Sequence, residues 1–284
     1  MRTCLRLELR KIFRSGWFWL VMGIAIGISC LNTMEMIRLT KDSIELSSLT
    51  MIEQKEYMVL SIFTKWIGCD SFTLGFSLYF FLFPLFATFA YGWSFFQEKK
   101  SGYIKNLITR TTRKNYYWAK YISVFIAGGL SMTVPMLINM FLTATFSNLN
   151  TPDVVYTYFS MMHGSFGSEL FYSHPFLFSV LYLFIDFIFC GLIACMSMAL
   201  SFFIKNRLAV LLIPFFFLLI LDYLSNFLMM EIFHTEYDIS VMRFLHPTPF
   251  PWYISGWIIL GYGVLFTILT MGICIKKGTS SNVF

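Results

Sequence analysis

Charge is what this 284-residue chain has least of. Asp, Glu, Lys and Arg make up 13% of it, about half the share of a soluble globular domain, roughly 25%. A large water-bathed domain is therefore excluded as its main body. Catalytic punctuation is also missing. No GxxxxGK[ST] phosphate loop occurs, so the chain carries no ATPase motor of its own. Neither HExxH nor GxSxG is present. The histidines, His163, His174, His234 and His246, lack ligand spacing, and His163, Glu169 and His174 read as surface groups. The six cysteines show no CxxC pair and read as small packing residues. After the first apolar run no small-x-small cleavage site follows, so that run reads as a retained span.

What is there is apolar. Residues AVILMFWYC supply 57% of the chain and the mean hydropathy is +0.69. Six runs are long enough to cross a bilayer, about 20 residues each: 17–37, 72–96, 116–146, 175–204, 208–230 and 252–275. Continuous apolar runs satisfy their own backbone in hydrocarbon as helices. The reading is an all-α membrane protein, one transmembrane domain over 1–284. Sixteen cations fall before span one, between spans two and three, between four and five, and after six; only Arg38, Lys41, Lys55, Lys65 and Arg243 fall on the other side. That bias puts both termini in the cytosol. It also accounts for the net charge of +6 without nucleic acid as a partner.

Residues 1–16 read as an amphipathic helix. Arg2, Arg6, Arg10 and Arg14 recur every four residues, with Leu5, Leu9, Ile12 and Phe13 as the opposite stripe. Such a helix lies in the headgroup layer on membrane lipid. It is either an anchor for span one or an interfacial helix that also touches a cytosolic partner.

The segment 97–115, with the start of span three, is the most pointed feature. Glu98 and Gly102 are followed by Tyr103-Ile104-Lys105-Asn106-Leu107, then Arg110, Arg113, Tyr116 and Lys120. Ile104, Leu107 and Ile108 share one face at helical spacing and form an apolar ridge among cations. As a bare sequence this is a solvated basic loop that enforces topology. It also resembles the cytosolic signature of permease subunits of ABC exporters of the second type, most closely over 95–121. The six spans, cytosolic termini, N-terminal interfacial helix and long outer segment before span six agree with that family. The resemblance implies that Glu98, Gly102, Tyr103, Ile104, Lys105, Leu107 and Arg110 meet a separate ABC ATPase, present in two copies. ATP and Mg would be bound there and no cofactor by this chain. A second permease chain, identical or related, would complete the pathway in a bacterial cell membrane. The outer segment 38–71 is longer than in many relatives and reads as polar with modest helical periodicity.

Two acids fall inside spans, where an ionised group costs at least ~2.5–3.5 kcal/mol. Asp222 lies ~22 Å along span five from Arg207 and reads as a polar step on the transport path. Asp186, near mid-membrane, reads as an interhelical hydrogen-bonding group, for instance to Ser or Asn. Tyr79 and Phe83 of span two and Phe216 of span five are the candidate apolar lining. The expected activity is export of an amphipathic or hydrophobic substrate, a peptide such as an antimicrobial peptide or a lipophilic drug. The rival readings are a non-transporting membrane interaction or regulatory protein and an intramembrane hydrolase.

Overall fold

The computed structural model describes residues 1–50, 61–70, 73–109, 111–152, 161, 164–235, 237–247 and 253–279. Among the described residues, six helices are long and apolar enough to span a membrane: Gly16–Asp42, Leu74–Lys100, Arg113–Ala144, Pro175–Leu200, Arg207–Met229 and Gly256–Gly278. The chain is thus a multi-pass, all-helical membrane protein. Before the first span runs α1 (Arg2–Arg14), and α2 (Gly16–Thr50) contains the span itself. Span two is α4 (Leu74–Tyr91) continued, after a turn, by α5 (Ser94–Lys100). Two short helices complete the first half, α3 (Ile62–Lys65) and α6 (Tyr103–Ile108). Span three is α7 (Arg113–Ala144), and α8 (Ser168–Ser173) precedes span four, α9 (Pro175–Leu200). Span five is α10 (Arg207–Asn226), which loosens into a π-helical turn over Phe227–Ile232. A cap of β1 (Tyr237–Asp238), α11 (Val241–Phe244) and β2 (Tyr253–Ile254) leads into α12 (Gly256–Thr279); its two strands pair in parallel.

Local chemistry sets the helix starts. Thr73 caps α4 by accepting the Phe76 N–H at 3.1 Å, and Asn206 caps α10 through the Leu208 N–H at 3.0 Å. Pro175 opens α9 at a position where its missing donor is not needed. Pro84, Pro135 and Pro214 sit inside α4, α7 and α10. Thr88 of span two donates to the Leu211 carbonyl, one turn before Pro214, and so ties span five to the bundle.

Spans two, three and four form the centre. Each is 61% buried, against 33% for span five and 22% for span six. Hydrocarbon gives helices no hydrophobic reason to associate, so close approach of small residues does the work. At the α7–α9 contact a Cβ on Gly128 would lie 2.4 Å from the Ala194 Cβ and 2.7 Å from the Cys190 carbonyl.

The segment before span two departs from the expected polar outer loop. Helix α2 continues to Thr50, well past residue 38. Residues 61–70 then fold into the bundle, with Trp66 and Ile67 fully buried. Asparagines inside the spans hold this plug. Asn139 of α7 accepts the Ile67 N–H at 2.8 Å and donates to the Asn32 side chain and the Ser29 carbonyl, both at 2.8 Å. Asn32 donates in turn to Asp70 and Thr73, each at 2.8 Å. The buried polar groups of spans one, two and three thus satisfy one another where water is absent.

The α7–α9 contact leads to a prediction. Gly128→Ala lowers stability by about 1–3 kcal/mol, because its methyl group has no room. Gly261→Ala, with nothing within 4 Å of the new Cβ, leaves stability unchanged. Thermal unfolding of the two purified variants in one detergent compares them.

Candidate functional site

The face carrying α1, α6 and the end of α12 is organised by charge. On α1 the buried line is Cys4, Glu8 and Ile12. Leu5 and Leu9 only flank it, and Arg6 and Arg10 are exposed. Phe13, read from the sequence as part of the apolar stripe of an interfacial helix, is 48% exposed and packs edge-on against Phe18 at 5.9 Å. The middle of the inner line is therefore an acid. Glu8 is tolerated there because Lys120 of α7, itself 0% exposed, reaches it at 2.8 Å. Lys120 also lies 3.0 Å from Glu98 of α5. Lys11 bridges the same two acids at 2.6 and 2.8 Å. Two phenols join them: Tyr91 donates to Glu8 at 3.1 Å, on the oxygen that Lys120 also reaches, and Tyr116 to the other oxygen of Glu98 at 2.6 Å. Two acids and two cations balance, with Glu8 and Lys120 buried and Lys11 at the solvent edge, its side chain 36% exposed. Burial raises the Glu8 pKa, but Lys120 and Lys11 outweigh it and hold the carboxyl below its ordinary value. Burial lowers the Lys11 pKa, and Glu98 and Glu8 more than reverse that, so it stands above its ordinary value.

This geometry corrects the reading of Glu98. Its carboxylate turns inward to Lys11, Lys120 and Tyr116 and is not presented to a partner. Helix α6 stands beyond it. Gly102 begins the helix in the left-handed region, φ 72° and ψ 3°, which favours glycine and turns the chain away from α5. Ile104 is fully buried in the main core and Leu107 is half-buried against it, so the expected outward ridge instead anchors the helix. Tyr103, Lys105 and Asn106 are exposed. Arg110 lies outside the described residues, as does His163. Two hollows flank Tyr103. One, of about 360 Å³, is lined by Lys11, Ser15, Trp93, Gln97 and Glu98 among others; the second, of about 380 Å³, by Asn106, Leu107 and Thr109.

Other cations on this face staple helix ends. Lys99 donates to the Ser201 and Phe202 carbonyls at the end of α9, at 3.2 and 3.5 Å. The Arg207 guanidinium stacks 4.5 Å from the Trp93 ring and Lys277 lies 3.5 Å from that of Phe203.

The proposed lining residues are divided. Tyr79 and Phe83 are 0% exposed, and Tyr79 donates to the Met132 carbonyl of α7 at 2.5 Å. In this conformation both are packing groups and face no open passage. Phe216 points outward, 53% exposed. Asp222 is half-buried and engaged by the cap: Ser240 donates to it at 2.6 Å and Arg243 lies 3.3 Å away. Asp238 completes the set, with Arg243 at 3.1 Å, Ser225 at 3.1 Å and the Ser240 N–H at 2.7 Å. The end of span five is thereby tied to the segment before span six. Asp186 is fully buried, and the expected interhelical bond is not formed: among the described residues neither carboxyl oxygen has a partner, nor has the Tyr182 hydroxyl one turn earlier. No cluster of three or more metal-ligating side chains occurs among the described residues.

Sequence reasoning missed Glu8, Asn32 and Asn139. The signal was present, a lone acid in the apolar line of α1 and asparagines within apolar runs. Comparison with protein-family models, with curated proteins and with solved structures finds no match.

Two predictions come from these clusters. Glu8→Ala leaves Lys11 and Lys120 sharing Glu98 alone, one cation in excess beside the buried Lys120, and costs about 3 kcal/mol, whereas Glu8→Gln with Lys120→Met restores the balance and recovers most of it. Unfolding in detergent measures both, and the contribution of Glu8, present above its ordinary pKa, fades as pH falls below about 4.5. His246 of the cap packs edge-on to Phe76 and Phe80, with centroids at 4.9 and 4.8 Å. Burial, aided by Arg243 and partly opposed by a backbone bond at Pro247, lowers its pKa to about 4. A histidine that resists its proton when folded favours unfolding as pH falls below its ordinary value. The wild type loses on the order of 2 kcal/mol between about pH 7 and 5, and His246→Gln flattens that slope.

Proposed function

We propose that the chain is the membrane-spanning permease subunit of an ATP-driven exporter in a cell membrane, with both termini cytosolic. A separate ATPase, which binds ATP and Mg, docks on α6, and a second permease chain completes the pathway for amphipathic or hydrophobic cargo. One observation carries this reading. Helix α6 projects from the face bearing α1 and the end of α12, turned out by Gly102, while its root is clamped through Ile104 and through the charge cluster that joins α5, α1 and α7. A push on the exposed Tyr103, Lys105 and Asn106 is thus delivered to the first three spans at once. The resemblance over 95–121 assigns the same segment to an ATPase contact.

Tyr103→Ala with Lys105→Glu changes only exposed side chains and leaves insertion intact. Co-purification with the ATPase encoded beside this chain falls by about tenfold or more, the effect of losing roughly 1.4 kcal/mol of contact. An undiminished complex with full substrate-stimulated ATP hydrolysis overturns the docking assignment. Failure of the wild type to capture any ATPase supports the non-transporting interaction protein instead.

A further inference from the structure

A groove of about 680 Å³ runs between α9 and α12. Leu181, Phe184 and Ile188 form one wall and Leu260, Val264 and Ile268 the other. One end is closed by Phe166, whose ring lies 2.7 Å from where a Gly256 Cβ would stand, with the exposed Trp257 beside it in sequence. Apart from Trp257, the polar side chain in the lining is Thr267, and its hydroxyl is already donated to the Gly263 carbonyl at 2.7 Å. The walls have no hydrogen bond to give.

Both walls are membrane-spanning helices, so hydrocarbon rather than water bathes the groove. Wall atoms facing a void forfeit their dispersion contacts, so the occupant is apolar, and shape decides its kind. The lining extends along α12 from Gly256 to Ile268, about 18 Å at the helical rise. That length is close to the depth of one leaflet of the hydrocarbon core, about half of 30 Å, and so matches a single acyl chain lying along the groove. Trp257 stands at the end where an interfacial aromatic marks headgroup level, so the chain's polar end has a place outside the groove.

We propose that this groove binds the acyl chain of a bilayer phospholipid as a resident lipid. The full chain is reconstituted in phosphatidylglycerol–phosphatidylcholine vesicles with a trace of phosphatidylcholine carrying a diazirine in its acyl chain. After photolysis, adducts are mapped by mass spectrometry. They concentrate on 181–189 and 256–268 over the equally lipid-facing Phe216, Phe217 and Ile220 of α10. At Gly263 an added Cβ has ordinary van der Waals contact with the Phe189 ring, at 3.8 Å, so Gly263→Leu places its side chain in the groove. Its adducts there fall about tenfold, the loss expected when about two methylene groups lose apolar contact. Gly261→Leu, outside the lining, changes nothing. Should Gly263→Leu fail to fold, Leu260→Trp fills the slot from its rim with the same result. Labelling no denser than on α10, or unaltered in the filled variants, overturns the proposal. Covalent dimers formed through a photoreactive residue at position 260 overturn it too and assign the groove to a second copy.

Discussion

Four charged side chains, Lys120 and Glu8 buried, Glu98 mostly shielded and Lys11 at the solvent edge, dictate the geometry of the face that carries α1 and the end of α12. Lys120 enters from span three with no exposure at all, so its charge must be met by acids brought from elsewhere. Glu8 comes from α1 and Glu98 from α5, and Lys11 returns the balance to zero. A buried pair of this kind is weak as a source of stability but strict as a constraint, since removing one member leaves another uncompensated. The constraint is one of position. α1 is therefore not a helix adrift in the headgroup layer. It is docked on α7 by an ion pair along its inner line, and its arginines are left for the lipid surface. The same pairs fix where α5 ends, and thereby where Gly102 launches α6.

The opposite end is held by different means. The plug at 61–70 is secured by amides and hydroxyls, through Asn139, Asn32 and Thr73, and the cap before span six by Asp222, Asp238 and Arg243 around Ser240. At the cap, water can replace either partner of the partly exposed Asp222–Arg243 pair at small cost, whereas the plug's hydrogen bonds and the Lys120–Glu8 pair are buried. The π-helical turn that ends span five lies on this side as well, and such turns are points where a helix changes register. The more yielding joints thus lie across the membrane from the stiffest one.

The number of spans and the helical class were legible, because a run of about 20 apolar residues has few other fates. The short helix after Gly102 was legible from turn chemistry and spacing. What was not legible depends on partners distant in sequence. Periodicity placed Ile104 and Leu107 on one face but not which way that face turns. It is the core that claims them. Glu98 looked like a docking acid because its cations were sought nearby, whereas Lys11 lies 87 residues away. Glu8 was passed over because its partner, Lys120, lies 112 residues away. Tyr79 and Phe83 looked like lining, since aromatic residues in a span carry no mark of the side they face.

These placements bear on how the cations are to be understood. The excess of lysine and arginine at this face is an orientation signal in sequence, yet much of it is spent on intramolecular contacts. Lys11 and Lys120 neutralise buried acids, Lys99 holds the end of α9, and Arg207 and Lys277 lie on aromatic rings. A partner arriving here thus meets a surface less basic than the composition implies. It finds the exposed Tyr103, Lys105 and Asn106, the two hollows beside Tyr103, and the arginine row of α1. Under the docking proposed above, recognition at α6 depends on the shape of one short helix more than on bulk charge. A shape-dependent contact needs a rigid mount, and the buried cluster behind it provides one.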